Sequence, residues 1–346
     1  MNDENPVVSL KDVTKTIDDC VAVDTVAFEL TRGTFLTILG PSGSGKSALL
    51  RLIAGLDEVS AGEIMIDGRD VTNDPAHARS VGMVFPNLAL FPHMSVAENV
   101  AFPLRCKRFD RKSITERIDA FLNVVRLDGF GAMRIQDLSE LQQQHVALAR
   151  ALAFEPAVLL LNAPTAALDQ KTREDMHMEF RRVSRELGVA TINVTDDHRE
   201  AFAVSDEIAV MDGGCVLQTA RPEEIYRHPV NSVVAGLTGE ANFLSGKIVE
   251  KSKTGVGVLV GETRAYGLPM GRMPTLGEHG ESMIRAEHIC IAPMGDPLPV
   301  VDNVLIGTLR EAIFEGARMI YVVHVPALGQ SLKKIGRASC RERVYC

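Results

Sequence analysis

No stretch constrains this chain more tightly than Gly40 to Ser47, which reads GPSGSGKS. It satisfies the pattern G-x-x-x-x-G-K-[ST] without a gap. The apolar run Phe35, Leu36, Thr37, Ile38 and Leu39 leads in, and a helical run from Ala48 to Ala54 leads out. A buried strand, a glycine turn and a helix N-terminus, in that order, point successive backbone N–H groups at an anion. Gly40, Gly43 and Gly45 permit a close backbone approach that side chains would block. Pro41, Ser42, Ser44 and Ala48 complete the phosphate-binding segment. Lys46 is expected to reach the β- and γ-phosphates of a nucleotide, and the Ser47 hydroxyl to ligate Mg²⁺. A chance glycine-rich turn would not bring strand, loop and helix together.

Composition narrows the class. The chain has 346 residues, enough for two domains and a substantial core. With 37 basic against 45 acidic side chains it carries no global basic field, so nucleic acid is not an expected partner. No apolar run reaches the ~20 residues that span a bilayer, and the start, MNDENPVV, lacks a signal-peptide pattern. The six cysteines (Cys20, Cys106, Cys215, Cys290, Cys340, Cys346) form no CxxC pair and read as thiols of a reducing cytoplasm. The nine histidines show no metal-ligand spacing. Met83, Met94, Met176 and Met178 read as packing residues. The last stretch, Ile335 to Cys346, resembles the translation of a sequencing-library adapter; it reads as non-native and is set aside from fold reasoning.

Residues 7–39 alternate short apolar runs with polar turns, as antiparallel strands leading to the loop would. Gly62 to Gly68 and Val81 to Phe85 read as further strands. Between about 90 and 153 the pattern is helical, with Ile114, Ile118, Phe121, Leu122 and Val125 on one stripe. Val158 to Leu161 is a continuous apolar run suited to a central parallel strand. Met176, Phe180, Val183 and Leu187 line the next helix, and Ala190 to Val194 forms another strand. The alternation predicts an α/β fold, a parallel sheet around the phosphate loop with an inserted helical subdomain. Beyond Gly239, short strand-like runs between Gly, Pro and Asp turns predict a small all-β barrel-type domain. The expected organisation is a nucleotide-binding domain over 1–238, with its helical subdomain at about 90–153, a truncated oligomer-binding-type domain over 239–334, and the tail 335–346.

Several long stretches carry a family resemblance: VGMVFPNLALFPHMSVAENVAFPL (81–104), QQQ-VALARALAFEP (142–156), PTAALD (164–169), EEIYRHP (223–229) and NFLSG (242–246). With the phosphate loop, they make the chain resemble the ATP-binding subunit of an ABC importer with a C-terminal oligomer-binding-type regulatory domain. The branch it looks most like serves polyamines, ferric iron and sugars. The resemblance implies ATP and Mg²⁺ as cofactors, and transmembrane permease subunits as partners. It implies a second ATP-binding subunit, homo- or heterodimeric, and a peripheral place on the cytoplasmic side of the cell membrane. In the family each site joins one subunit's phosphate loop to the other's signature helix. The resemblance also makes Leu88 to Leu104 the surface that receives a permease helix, although its two Phe-Pro steps and apolar face suit an ordinary core as well.

The positions that carry chemistry in the family are altered. Its Asp-Glu pair is Asn162-Ala163 here, so the metal ligand keeps its shape but not its charge, and the water-polarising carboxylate becomes a methyl group. Its switch histidine is Asp196, with His198 two residues on. Its signature LSGGQ reads Leu138, Ser139, Glu140, Leu141, Gln142, which puts a carboxylate and a bulky side chain where glycines approach the partner's γ-phosphate. His145 replaces an arginine, Pro86 a glutamine, and Ile17 the aromatic that stacks on adenine. The replacements remove two negative charges from the metal and water and add two near the phosphate, while the scaffold alongside matches the family. That pattern reads as a targeted loss of hydrolysis and leaves no residue assigned as catalytic. Two readings follow: an importer subunit with hydrolysis impaired or lost, or a non-hydrolysing nucleotide-binding or structural partner within a heterodimer.

Overall fold

The computed structural model describes residues 5–165, 168–252, 255–270, 272–294 and 303–337. Ala166 and Ala167 of the PTAALD stretch, Cys340, Cys346 and the rest of 338–346 lie outside the described residues. The chain divides into two compact units, 1–223 and 224–346.

The first unit opens with β1 (Val8–Ile17) and β2 (Cys20–Leu30), an antiparallel hairpin closed at Asp18 and Asp19. Both aspartates are left-handed (φ 45° and 66°), the geometry whose twist suits a two-residue hairpin turn. Then follow β3 (Phe35–Leu39), α1 (Lys46–Ala54), β4 (Ala61–Ile66), β5 (Arg69–Asp70) and β6 (Val81–Val84). The helical stretch contains α2 (Val96–Cys106), α3 (Arg111–Val124) and α4 (Glu140–Leu152). The unit continues through β7 (Val158–Asn162), α5 (Gln170–Leu187), β8 (Ala190–Thr195), α6 (His198–Val204), β9 (Glu207–Asp212) and β10 (Cys215–Ala220).

The strands make two sheets, β2-β1-β4-β5 and β10-β9-β3-β8-β7-β6. The second is parallel except for β10, which runs antiparallel to β9. Strand alternation splits its side chains between two cores. Leu36, Ile38, Val158, Leu160 and Ile192 pack with α1 and the antiparallel sheet. Phe35, Val84, Leu159 and Leu161 pack instead with the residues of α2 to α5. A sheet buried on both faces needs near-continuous apolar strands, which is why β3 and β7 read as uninterrupted runs.

The helices start where their caps dictate. Ser95 and Ser139 form capping boxes with Glu98 and Gln142, and Asp110, Asp169 and Asp197 accept backbone N–H groups at the starts of α3, α5 and α6. Phe121, Leu122 and Val125 of the predicted stripe are buried, with Ile114 and Ile118 packed against the same core. Two expectations need correction. Leu187 is 39% exposed, because α5 ends there and Gly188 turns the chain away. Met178 is 56% exposed, because two residues' rotation puts it on the side of the helix opposite buried Met176 and Phe180.

The second unit holds α7 (Pro222–Arg227, beginning just before its boundary), α8 (Ser232–Leu237), β11 (Ala241–Lys251), β12 (Val256–Val260), β13 (Thr263–Gly267), β14 (His279–Arg285), β15 (Thr308–Glu315), β16 (Arg318–Val325) and β17 (Gln330–Arg337). They form a four-stranded sheet, β13-β12-β11-β14, and a three-stranded one, β15-β16-β17, all antiparallel, as an oligomer-binding-type domain requires. Leu244, Ile248, Val256 and Val258 meet Val325, Leu328 and Leu332 in a single small core. β17 runs on through Ile335, Gly336 and Arg337, which the sequence reading set aside; ladder pairing is a backbone property and continues across them to Ile320, Met319 and Arg318.

Candidate nucleotide site

Parallel strands end on one edge of their sheet, and the loops that follow them gather there. The register places Leu39 beside Thr195, Asn162 beside Val194, and Val84 beside Leu161. The segments beginning at Gly40, Ala163, Asp196 and Phe85 therefore leave the sheet together.

The loop Gly40–Ser47 is built by close approach. A Cβ on Gly40 would lie 2.0 Å from the Met211 carbonyl oxygen. Gly45 (φ 96°) is the N-cap of α1, and a Cβ there would lie 2.3 Å from the Ala22 carbonyl of β2. No L side chain fits either position. The Gly214 N–H donates to the Ser44 carbonyl at 3.1 Å, which ties the loop to the β9–β10 turn.

Lys46 is buried at the loop's centre. Its Nζ donates to the carbonyls of Gly40 and Pro41, both at 2.7 Å, and lies 3.3 Å from Ser44 Oγ. Burial pushes the ammonium's pKa below the usual lysine value, and the nearby Asp196 carboxylate pulls it back up. Asp196 itself is exposed, between β8 and α6. The loop and Lys46 fit a polyphosphate. A loop with no room for a Cβ at Gly40 or Gly45, and with a left-handed Gly43 (φ 83°), surrounds a cation whose partners include two neutral carbonyls that an anionic oxygen can replace.

Ser47 Oγ donates to Asn162 Oδ1 at 3.3 Å. These two oxygens fit a Mg²⁺ shell by position and element, but both are neutral. Ala163 follows with φ 42°, a left-handed conformation that costs a residue with a Cβ about 1–2 kcal/mol. Its methyl group offers nothing to a water. Among the described residues, no group of three or more His, Cys, Asp or Glu side chains is placed to hold a metal.

Other sequence-singled residues stand apart from this cluster. Glu140 is the first residue of α4 and exposed, where the helix dipole favours a carboxylate. Leu141 is half-buried and packs against the helical core, so its bulk supports α4 from within. Pro86 is exposed in the turn after β6. The backbone that follows is held from α4: Arg150 donates Nη2 to Leu88 O and Nη1 to Ala89 O, each at 2.6 Å, with its guanidinium 5.5 Å from the Phe91 ring centre. Ile17 lies at the tip of the β1–β2 hairpin, 48% exposed, beside a shallow hollow lined by Lys15, Leu56 and Glu58. It presents an aliphatic surface and no ring. His145 is half-buried in α4; burial lowers its pKa and Glu179 opposes the shift. His198 begins α6, its ring edge-on to Phe202.

Sequence reading missed a buried polar cluster behind this edge. His177 of α5 sits with Nε2 2.7 Å from Thr165 Oγ1 and 3.2 Å from Glu200 Oε1 of α6. Glu200 accepts from Asn193 Nδ2 at 2.8 Å and from Thr195 Oγ1 at 2.7 Å. Gln144 Nε2 donates to the Pro164 carbonyl at 2.7 Å from the α4 side. Each of these residues reads singly as an ordinary helix or strand polar group. The one signal in the sequence was His177 lying next to Met176 on the face that must be buried.

Comparison with known proteins bears on this geometry. Residues 23–166 match the family model described as ABC transporter. The spermidine/putrescine import ATP-binding protein PotA of Nitratidesulfovibrio vulgaris is 38% identical over 323 residues, covering 93% of this chain and 88% of the relative. The protein of the same name from Acidothermus cellulolyticus is 40% identical over 329 residues, covering 93% and 84%. Among solved structures, cbiO1 from Clostridium perfringens, part of the ABC transporter complex cbiONQ, is similar with a TM-score of 0.60 and 27% identity, over 65% of this chain and 92% of that one. The ATP-binding cassette MJ0796, in a dimeric post-hydrolysis state bound to ADP and Pi, is similar with a TM-score of 0.53 and 33% identity, over 62% and 98%. No helix among the described residues is long and apolar enough to cross a membrane.

Proposed function

The chain belongs to the ABC transporter ATP-binding proteins, and on that premise we propose that it is an importer subunit that binds ATP through Gly40–Ser47 while its hydrolysis is impaired. The observation that carries the second half is the carboxylate-free end of β7, where Asn162 faces Ser47 and Ala163 follows. Bound Mg²⁺ would sit with Ser47 and Asn162 and supply charge neutralisation for the phosphates. Lys46 and the loop N–H groups orient the polyphosphate. No group in Ala163 can accept a proton from an attacking water, and loss of a positioned general base costs ~10²–10⁴ in rate.

The partners follow the same reading. The chain couples to a membrane permease at the cytoplasmic face, through the 88–104 surface around Phe91 and Phe102. The named relatives favour polyamines as the transported class, with selection made by subunits other than this one. The site's Mg²⁺ affinity is weakened by the neutral Asn162. The exposed Glu140 at the start of α4 is the observation that favours a heterodimer with a subunit whose own site is complete.

Nucleotide binding and phosphate release from the purified chain test this together. The expected result is measurable ATP binding, lost in Lys46→Ala, with release near background. Turnover at tens per second from the unaltered chain would overturn the impairment, and unchanged affinity in Lys46→Ala would overturn the site. Asn162→Asp with Ala163→Glu is expected to restore little by itself, because residues acting as a unit are strongly non-additive. Adding Gly at 140 and 141 and His at 196 should raise turnover much further. Equal rates from the two repaired proteins would show that Glu140 and Asp196 do not matter.

A further inference from the structure

The buried cluster behind the site joins the segment after β7 to the end of β8. Thr165 lies three residues beyond Asn162, on the segment after β7. Thr195 is the last residue of β8 and immediately precedes Asp196. Neither segment bonds the other directly through these side chains. The connection passes from Thr165 Oγ1 to His177 Nε2, across 3.2 Å to Glu200 Oε1, and from Glu200 Oε2 to Thr195 Oγ1. His177 is 6% and Glu200 9% exposed, so the bridge is screened from water and held to one geometry. Thr195 Oγ1 also accepts the Asp197 N–H at 3.1 Å, which carries the constraint through Asp196 to the start of α6.

We propose that His177 and Glu200 are positioning residues that set the spacing between the Ala163 side and the Asp196 side of the site, and so set its preference for ATP over ADP. The role rests on the nucleotide-binding reading above. Phosphates nearer the base are held by Gly40–Ser47, which the bridge does not touch. On the nucleotide-binding reading, a γ-phosphate held beyond the loop is the group that would meet the ends of β7 and β8, which the bridge joins. Loosening the bridge therefore penalises ATP and spares ADP, whereas general damage to the fold lowers both.

The experiment measures ATP and ADP dissociation constants, with Mg²⁺, for the full chain and three variants. His177→Leu removes the ring's hydrogen bond to Thr165 and its 3.2 Å approach to Glu200, and Thr165→Val removes only the loop-side hydroxyl, a smaller change that guards against a folding defect in the first. His177→Gln keeps a donor and an acceptor at the bridge. The expected result is about a tenfold loss of ATP affinity in His177→Leu and a smaller loss in Thr165→Val. ADP affinity should stay within about twofold in both, and His177→Gln should recover most of the ATP affinity. Parallel losses for the two nucleotides, or none, would overturn the positioning role while leaving the nucleotide site intact. An unaltered chain that binds neither nucleotide would overturn the nucleotide reading and this role with it.

Discussion

Lys46 must meet a polyphosphate while an exposed carboxylate, Asp196, already acts on its ammonium. A unit charge ~6 Å away at an effective dielectric of ~20 is worth roughly 3 kcal/mol before solvent screening, and much less after it. Asp196→Asn is therefore expected to raise ATP affinity several-fold, as titration calorimetry at low salt would report; an unchanged constant would show that Asp196 points away from the phosphates. His177 supplies a second test. Burial, with help from Arg173 and against Asp197, pushes its pKa down to about 4. The unfolded chain takes up this proton near 6.5, before the native one does, so stability falls as pH drops from about 6.5 to about 4, by up to ~3 kcal/mol. Glu200 has the opposite sign: burial raises its pKa, so its contribution is full below the unfolded value and fades as pH rises through the native one. His177→Gln should flatten the acid limb of a melting-temperature profile, and an unchanged limb would reject the assignment.

Arginines hold several elements of each unit at their ends. At the far end of α1, Arg79 is 2% exposed and donates Nη1 to the carbonyls of Leu52 and Ile53, Nε to Asp74 O and Nη2 to Thr72 O. Ile53 O is one of the carbonyls a helix C-terminus leaves without a partner, while Leu52 O also accepts the Gly55 N–H at 3.1 Å. Arg79→Met would strand the Ile53, Thr72 and Asp74 carbonyls at about 1–3 kcal/mol each. The expected outcome is a fall of several degrees in the first unit's unfolding midpoint, followed calorimetrically; no fall would mean that water replaces the guanidinium. Arg150 acts similarly on the turn after β6, where Leu88 and Ala89 are both left-handed (φ 58° and 47°) and their carbonyls accept its fork. In the second unit Arg285 donates to the carbonyls of Ala235, Gly239 and Tyr226 and lies 4.2 Å from the Tyr226 ring centre, which fixes α7 and α8 against β14.

At the scale of the whole molecule the question is whether two copies close on nucleotide. Under the proposed reading a second copy's α4 start would meet the phosphates, and that start carries Glu140, exposed at the first position of α4. The N-terminal dipole of α4 offsets part of that charge. Addition of Mg²⁺-ATP is therefore expected to leave the chain's oligomeric state unchanged in size-exclusion chromatography with light scattering. A clear ATP-dependent dimer would refute the electrostatic argument. Glu140→Gly with Leu141→Gly removes the charge but also strips a core contact from α4, since Leu141 packs inward. Glu140→Gln, which keeps Leu141, is the cleaner probe of charge.

Sequence alone determined the parts whose physics is local. The octapeptide at Gly40, with its flanking strand and helix, announces an anion cradle, although the Met211 and Ala22 carbonyls that press on Gly40 and Gly45 come from distant strands. The continuous apolar runs of β3 and β7 announce a sheet buried on both faces, and Asn162-Ala163 states its lack of charge without any coordinates. Tertiary structure decided what depends on distant segments meeting. It turned Leu141 towards the core, exposed Met178 and Leu187, and ran β17 through residues set aside for their resemblance to an adapter. It also assembled Thr165, His177, Asn193, Thr195 and Glu200, drawn from five places along the chain, into one buried cluster. No periodicity encodes such a cluster, because each member's own segment is satisfied with or without it. Only the parallel register, which sets Asn162 beside Val194, brings the strand ends close enough for a histidine and a glutamate to join them.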